Sequence, residues 1–208
     1  MPITKDFNAI IDDIVAGKPV IVVDSWDREN EGDLVIAAEY ATAETLAFIA
    51  RYARGIMCIP CDGAILDRLE IPMSPSNSLD KLQTPFTVSI DAAEGVSTGV
   101  SVEDRMVTIR KVLDPSTVPS DLAYPGHLFP LRPRPGLLQE RQGHTEASIE
   151  MMHLAGCQPV AIICEIMNDD GSMARLPELE TFANVHNVNI ISIDDLSEHI
   201  YGSRQSSI

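Results

Sequence analysis

Read for hydrophobic spacing alone, the chain alternates between helical and extended signatures. Phe7, Ile10, Ile11 and Ile14 recur at three- and four-residue intervals, which places them on one helical face, so residues 7–15 form a predicted helix with Gly17 placed to end it. PVIVVD (19–24) is a short unbroken apolar run, the mark of a buried strand, and LVIAAE (34–39) gives a second. TAETLAFIARYA predicts a helix beginning near Thr42 and stopping at Gly55. IMCIPC (56–61) predicts a third strand and ILDRLE (65–70) a short helix. A loop rich in Pro, Ser and Asn over 72–85 then leads to the alternating strand FTVSID (86–91).

Ser101 and Asp104 stand at capping-box spacing, with Asp where Glu or Gln is usual, and open a helix over VEDRMVTIRKVL. Six of the 14 prolines fall between residues 115 and 135. Each lacks a backbone N–H, so this stretch is expected to be an extended, rigid excursion rather than a long helix or a central strand. The pattern resumes with a helix over EASIEMMHLA closed by Gly156, the strand VAIICEIM (160–167) and the turn NDDG. A helix over PELETFANVHN with Pro177 in its first turn, the strand VNIISI and a short terminal helix follow. Hairpin-like and proline-rich segments interrupt the crossover rhythm, so the expected class is α/β bordering on α+β, a mixed sheet sandwiched by helices. No linker or internal repeat is visible, and residues 1–208 are expected to form a single compact domain.

Charge narrows the range of partners. With 15 basic and 31 acidic residues the formal net charge is −16, which argues against a phosphate-backbone footprint and hence against nucleic acid. No run approaches the roughly 18 apolar residues of a membrane span, and the opening MPITKDFNAI lacks the pattern of a signal peptide. Four cysteines are too few for a disulfide framework in a chain of this size, so reduced thiols and a cytoplasmic setting are expected.

Three segments carry candidate chemistry. In DRENEGD (27–33), following Asp24, the acids Asp27, Glu29, Glu31 and Asp33 crowd a strand end, where like charges repel unless a cation, an arginine or water separates them. A hard divalent ion such as Mg²⁺ or Mn²⁺ would relieve that repulsion, with Arg28 free to grip a phosphate; the alternative is an ordinary solvated loop. In ERQGHTEAS (140–148), Gly143 permits close backbone approach, and His144 and Thr145 sit where a helix begins, so free N–H groups together with Arg141 suggest an anion site; a capped helix behind a surface histidine is the alternative. In VAIICEIM, Val160, Ile162, Cys164 and Ile166 share one face of a strand, leaving Glu165 with Ala161, Ile163 and Met167 in an apolar setting where a carboxylate needs a partner. An acid so placed can move protons; an edge glutamate reaching water is the alternative. His127 in the stiff frame YPGHLFPL, and CIPC (58–61), are weaker signals: a histidine so placed is more commonly structural, and the two thiols lack the further close ligands of a zinc site.

Taken in order, DRENEGDL, GIMC, FTVSIDAAEGVSTGVSVEDR, PSDL with PGHLFPLR, RQGHTEAS, and CEIMNDDGSMAR with FANVHN resemble the 3,4-dihydroxy-2-butanone 4-phosphate synthases of riboflavin biosynthesis, from about residue 7 to 195. The resemblance implies a lyase that converts D-ribulose 5-phosphate to 3,4-dihydroxy-2-butanone 4-phosphate and formate, using Mg²⁺ or Mn²⁺ and no organic cofactor. It implies a homodimer with sites at the subunit interface, and a monofunctional form without the GTP cyclohydrolase II domain of bifunctional relatives. Carried over, it implies Glu29 and His144 as metal ligands, and Arg28, Glu29, Asp33, Arg141, Gln142, Gly143, His144, Thr145 and Glu165 at the substrate. His127 and Glu165 are implied as essential for turnover, with Asp33 and Cys58 also at the catalytic centre and Asp24 and Glu31 lining it. Gln142 stands where the family commonly has glycine. A non-catalytic sugar-phosphate sensor and a thiol redox protein built on CIPC are the competing classes.

Overall fold

A computed structural model describes residues 4, 6–75 and 84–202. Seven strands form one mixed sheet in the order β4, β5, β3, β6, β2, β1, β7. They are β1 (Val20–Val23), β2 (Gly32–Ala37), β3 (Cys58–Pro60), β4 (Ile90–Ala92), β5 (Leu122–Leu131), β6 (Ala161–Glu165) and β7 (Ile190–Ser192). The helices are α1 (Phe7–Val15), α2 (Ala43–Tyr52), α3 (Gly63–Arg68), α4 (Val102–Leu113), α5 (His144–Ala155), α6 (Leu176–His186) and α7 (Ile193–Tyr201).

Side-chain alternation along the strands sorts the core into two layers. Ile21, Leu34, Ile36, Ile59, Ile162 and Cys164 pack with residues of α2, α3, α4 and α6. Val20, Val22, Val35, Ala37, Cys58, Ala161 and Ile163 pack with α1, α5 and α7 on the opposite face. The expected sandwich and the two faces of 160–166 are therefore both present. Both faces of the central strands are covered, which is why their sequences read as continuous apolar runs rather than as polar–apolar alternation.

Several local expectations need correction. The proline-rich stretch contains β5, ten residues long and second from the sheet edge, and not an excursion outside it. Pro130 fits because its carbonyl accepts from the Thr87 N–H at 3.1 Å and the Thr87 hydroxyl at 2.9 Å. The same edge of the residue faces segment 86–88, so the N–H that proline lacks is not needed for pairing with β3. Only Ile90 and Asp91 of the alternating 86–91 run join the ladder as part of β4, with a register shift between them; Phe86 and Thr87 make single bridges. Helix α2 stops at Tyr52, and Arg54 rather than Gly55 adopts the left-handed conformation at φ 73°. Ser101 does cap α4 by accepting from the Asp104 N–H at 3.1 Å, but the Asp104 carboxylate turns back to residues 97–99 instead of closing the box. Part of the expected 72–85 loop lies outside the described residues.

Candidate active site

The acidic loop between β1 and β2 folds around one buried carboxylate. Asp24, its side chain 1% exposed, accepts from Arg28 Nη1 and the Glu29 N–H, each at 2.9 Å, and from the Glu31 N–H at 2.8 Å. Three donors on one acid make DRENEGD a built turn rather than a solvated loop. Arg175, just ahead of α6, braces it from outside by donating to the carbonyl of Glu29 at 2.9 Å and to that of Asn30. Arg175 closes the SMAR segment, and nothing in its local sequence shows this role.

Three neighbouring strands then supply the floor. Asp33 of β2 stands opposite Glu165 of β6, and Cys58 of β3 stands opposite Ile163, all on the face that carries α5. The Ile56 N–H fixes Glu165 by donating to Oε2 at 2.7 Å, the partner that a glutamate in this setting requires. Above the floor, α5 begins at His144, two residues before the expected start at Glu146. His144 Nδ1 lies 3.5 Å from Glu29 Oε2, and Nε2 lies 4.0 Å from Asp33 Oδ1. A cavity of about 120 Å³ opens among these groups, walled on its apolar side by Phe86, Leu131 and Ile163.

The charges in this cavity are strongly coupled. Burial raises the Asp33 carboxyl, His144 opposes the rise, and nearby Glu165, Glu29 and Glu31 add to it, leaving Asp33 pushed up to about 7. Burial disfavours the His144 cation, but Asp33, Glu29 and Asp24 outweigh it and pull the imidazole up to about 9. For Glu29 burial again raises, and His144 with Arg28 overcomes it, holding the carboxyl down to about 2. Glu31 is raised, by burial first and by Glu29 next.

This donor set fits a hard divalent cation. Asp24, Glu29 and His144 each offer a ligand atom within 4.8 Å of the others. Asp24 is engaged by three donors, whereas Glu29 Oε2 accepts from one, Arg28 Nη1 at 2.5 Å, so Glu29 and His144 are the pair more readily turned to an ion. His144 Nε2 and Asp33 Oδ1 are both buried without a hydrogen-bond partner. Orphaned buried polar atoms of this kind are costly and point to a missing ion or ligand.

Arg141 also lines the cavity, and its Nη1 pairs with the fully buried Glu146 at 2.7 Å. Gly143 has an ordinary φ of −118°, so its need for glycine is steric: a Cβ would sit 2.1 Å from Arg141 Nη1 and 2.9 Å from Glu146 Oε2. From sequence alone, the expected reason for glycine is close backbone–ligand approach. Thr145, in the first turn of α5, lines the cavity beside Arg141, where helix N–H groups lack intrahelical partners. Gln142 points elsewhere: its amide donates to the Leu138 carbonyl and reaches Ser197 Oγ of α7 at 3.4 Å.

His127 is not among the residues around this cavity; it lies on β5 four positions before Leu131, roughly 13 Å away along the strand. Cys58 does line the cavity. Burial first, then Glu165 and Asp33, pushes its thiol well above the ordinary range, so it is a protonated wall and not a thiolate. All four cysteines are free, and Cys58 and Cys61 face opposite layers, so CIPC forms neither a disulfide nor a shared zinc site.

Known proteins similar to this chain fall in one family. The family described as 3,4-dihydroxy-2-butanone 4-phosphate synthase matches residues 8–199. A protein of that name from Neisseria meningitidis serogroup A is 47% identical over 199 residues, covering 96% of this chain and 54% of its own length. One from Photorhabdus laumondii is 49% identical over 180 residues, covering 86% and 83%. A solved structure of 3,4-dihydroxy-2-butanone 4-phosphate synthase in complex with two magnesium ions superimposes with a TM-score of 0.88 at 36% identity, covering 93% of this chain and 95% of that one. This chain spans about half or less of several of its longer curated relatives, at 54%, 44% and 34% of their lengths.

Proposed function

The chain belongs to the 3,4-dihydroxy-2-butanone 4-phosphate synthase family, and on that premise we propose that it converts D-ribulose 5-phosphate to 3,4-dihydroxy-2-butanone 4-phosphate and formate, the water lost with the C1 hydroxyl balancing the water taken up when C4 leaves. The product would supply the four-carbon unit of riboflavin. One observation carries the reading: Glu29 and His144 meet at 3.5 Å beside the orphaned Asp33 oxygen, lining a cavity that Arg141 also lines.

Glu29 and His144 would hold Mg²⁺ or Mn²⁺, since carboxylate oxygen and imidazole nitrogen suit both ions. When bound, the ion supplies Lewis-acid polarisation of a substrate carbonyl. The chain's own groups do the rest. Arg141 and the start of α5 at Thr145 anchor the phosphate, and Arg28 screens the acids from one another as the sugar binds. Asp33, buried opposite Glu165 with its Oδ1 unpartnered, can take up and return a proton at that atom. Glu165, fixed by the Ile56 N–H, faces the same space from the adjoining strand. Abstraction of the C3 proton, loss of the C1 hydroxyl, skeletal migration and hydrolytic release of C4 need several transfers at fixed geometry, which accounts for so many acids in one small cavity. Cys58 serves as an apolar boundary.

His127 completes the set from the second subunit of a homodimer. Its exposure on β5, clear of the cavity in its own chain, supports that arrangement. No helix among the described residues is long and apolar enough to cross a membrane, and the four free thiols fit a reducing cytoplasm. The decisive experiment supplies ribulose 5-phosphate and Mg²⁺ to the purified protein. Formate release that a chelator abolishes is the expected result, and intact substrate in a metal-replete assay overturns the reading.

A further inference from the structure

Asp91 of β4 grips His127 of β5 at two points. Its Oδ1 accepts the His127 backbone N–H at 3.0 Å, and its Oδ2 lies 2.7 Å from Nδ1 of the ring. The acid is the sheltered partner, 13% exposed, while the imidazole is 48% exposed. An ionised carboxylate only accepts, so Nδ1 carries the proton and a neutral ring keeps its lone pair at Nε2.

Other elements hold the pair in place. Gly99, at φ +83°, lies so close that a Cβ there would stand 2.2 Å from Asp91 Oδ2 and 2.5 Å from His127 Nδ1. Its turn is pinned by Asp104 at the start of α4, which accepts from the Ser97 N–H and hydroxyl at 2.9 and 2.8 Å, and from the N–H groups of Thr98 and Gly99 at 3.1 and 3.0 Å. Asp104, the 97–99 turn, Asp91 and His127 thus form a relay of contacts from α4 across two strands, ending in one half-exposed imidazole. A histidine that served only to fill space would need none of this.

We infer that Asp91 is a positioning residue for the lyase reaction: it fixes His127 as the Nδ1–H tautomer and turns Nε2 outward as the proton acceptor offered to a sugar phosphate bound in the neighbouring subunit. This rests on the reading that His127 serves turnover. The sequence reading assigned Asp91 no role, since its signal is a single acid on a strand that pairs with the histidine only in three dimensions.

The test uses the full chain with ¹⁵N-histidine, observed by NMR at alkaline pH, beside formate release with Mg²⁺ and ribulose 5-phosphate. In the unsubstituted protein His127 should show a protonated Nδ1 and a bare Nε2. Asp91→Asn should release the ring to the other tautomer and lower kcat by about 10- to 100-fold, with KM changed less than about twofold. Adding Asp91→Asn to His127→Asn should cost nothing further, as expected for two residues acting as one unit. An Nε2–H ring in the unsubstituted protein overturns the inference without any variant having to fold, and so does full kcat in a folded Asp91→Asn protein. Unimpaired formate release by His127→Asn overturns it together with the reading of His127. A protonated Nδ1 in a protein that releases no formate leaves the tautomer assignment standing and fails the reaction alone.

Discussion

Glu29 and His144, from the first loop of the sheet and the start of the fifth helix, meet with 3.5 Å between Oε2 and Nδ1. Nothing local brings them together. The loop is shaped by Asp24 and the helix start by its packing over β2, β3 and β6, so the pair exists only when the whole sheet is assembled.

Replacing either member should abolish cation binding while leaving the fold intact. Glu29→Gln or His144→Ala is expected to weaken Mg²⁺ and Mn²⁺ affinity by about 100-fold or more and to eliminate formate release, measured by titration calorimetry and by assay. Unchanged affinity in both variants would remove the proposed ligand pair.

Asp24 makes a different prediction, because its work is structural. Asp24→Ala leaves the Glu29 and Glu31 N–H groups and one Arg28 donor without their buried acceptor, a loss of about 3 kcal/mol read from the urea midpoint. Activity should fall with it, since the loop that carries Glu29 loses its centre.

The dimer reading can be tested by mixing inactive proteins. If His127 serves its partner's cavity, His127→Asn and Glu165→Gln subunits, each inactive alone, should regain about one quarter of full activity after random exchange, because half of the dimers are mixed and each has one complete site. No recovery despite demonstrated exchange would place His127 at its own subunit's site or outside catalysis.

Asp104 sets a pH dependence of stability. The backbone and hydroxyl of Ser97, with the N–H groups of Gly99 and Thr98, hold its carboxyl down to about 2 from an ordinary 3.8. A folded value below the unfolded one means that the carboxylate stabilises the fold fully above the unfolded pKa and loses that effect as pH falls through the folded pKa. Asp104→Asn should therefore melt below the unsubstituted protein at neutral pH, with the gap closing between pH 4 and pH 2. A gap independent of pH would show that charge is not the cause.

Gln142 supplies a contrast. Gln142→Gly removes the tether between the Arg141 segment and α7, and the expected result is a stability loss of about 1 kcal/mol with KM for ribulose 5-phosphate unchanged. A large rise in KM would instead put the amide at the substrate.

Where regular spacing decided structure, the sequence was a good guide. The alternation over Val160–Ile166 correctly divided that strand between two layers and isolated Glu165 on the side where the cavity lies. Helix α4 matches its expected span residue for residue. What stayed hidden depended on pairing between distant segments. Proline argued against a central strand at 122–131, and only the position of Thr87 shows why Pro130 is tolerated. Arg175 and Asp91 act on partners 145 and 36 positions away. His127 was legible as a residue held in a stiff frame, but its distance from the cavity of its own chain was not.

The pairing of Asp33 with Glu165 has one more consequence. A slip of either strand by a single residue would turn its acid into the greasy layer beneath α2 and α6 and send Leu34 or Cys164 into the polar chamber. Misthreaded molecules would therefore be both unstable and inert, so quality control by the cell and selection for activity would remove the same errors.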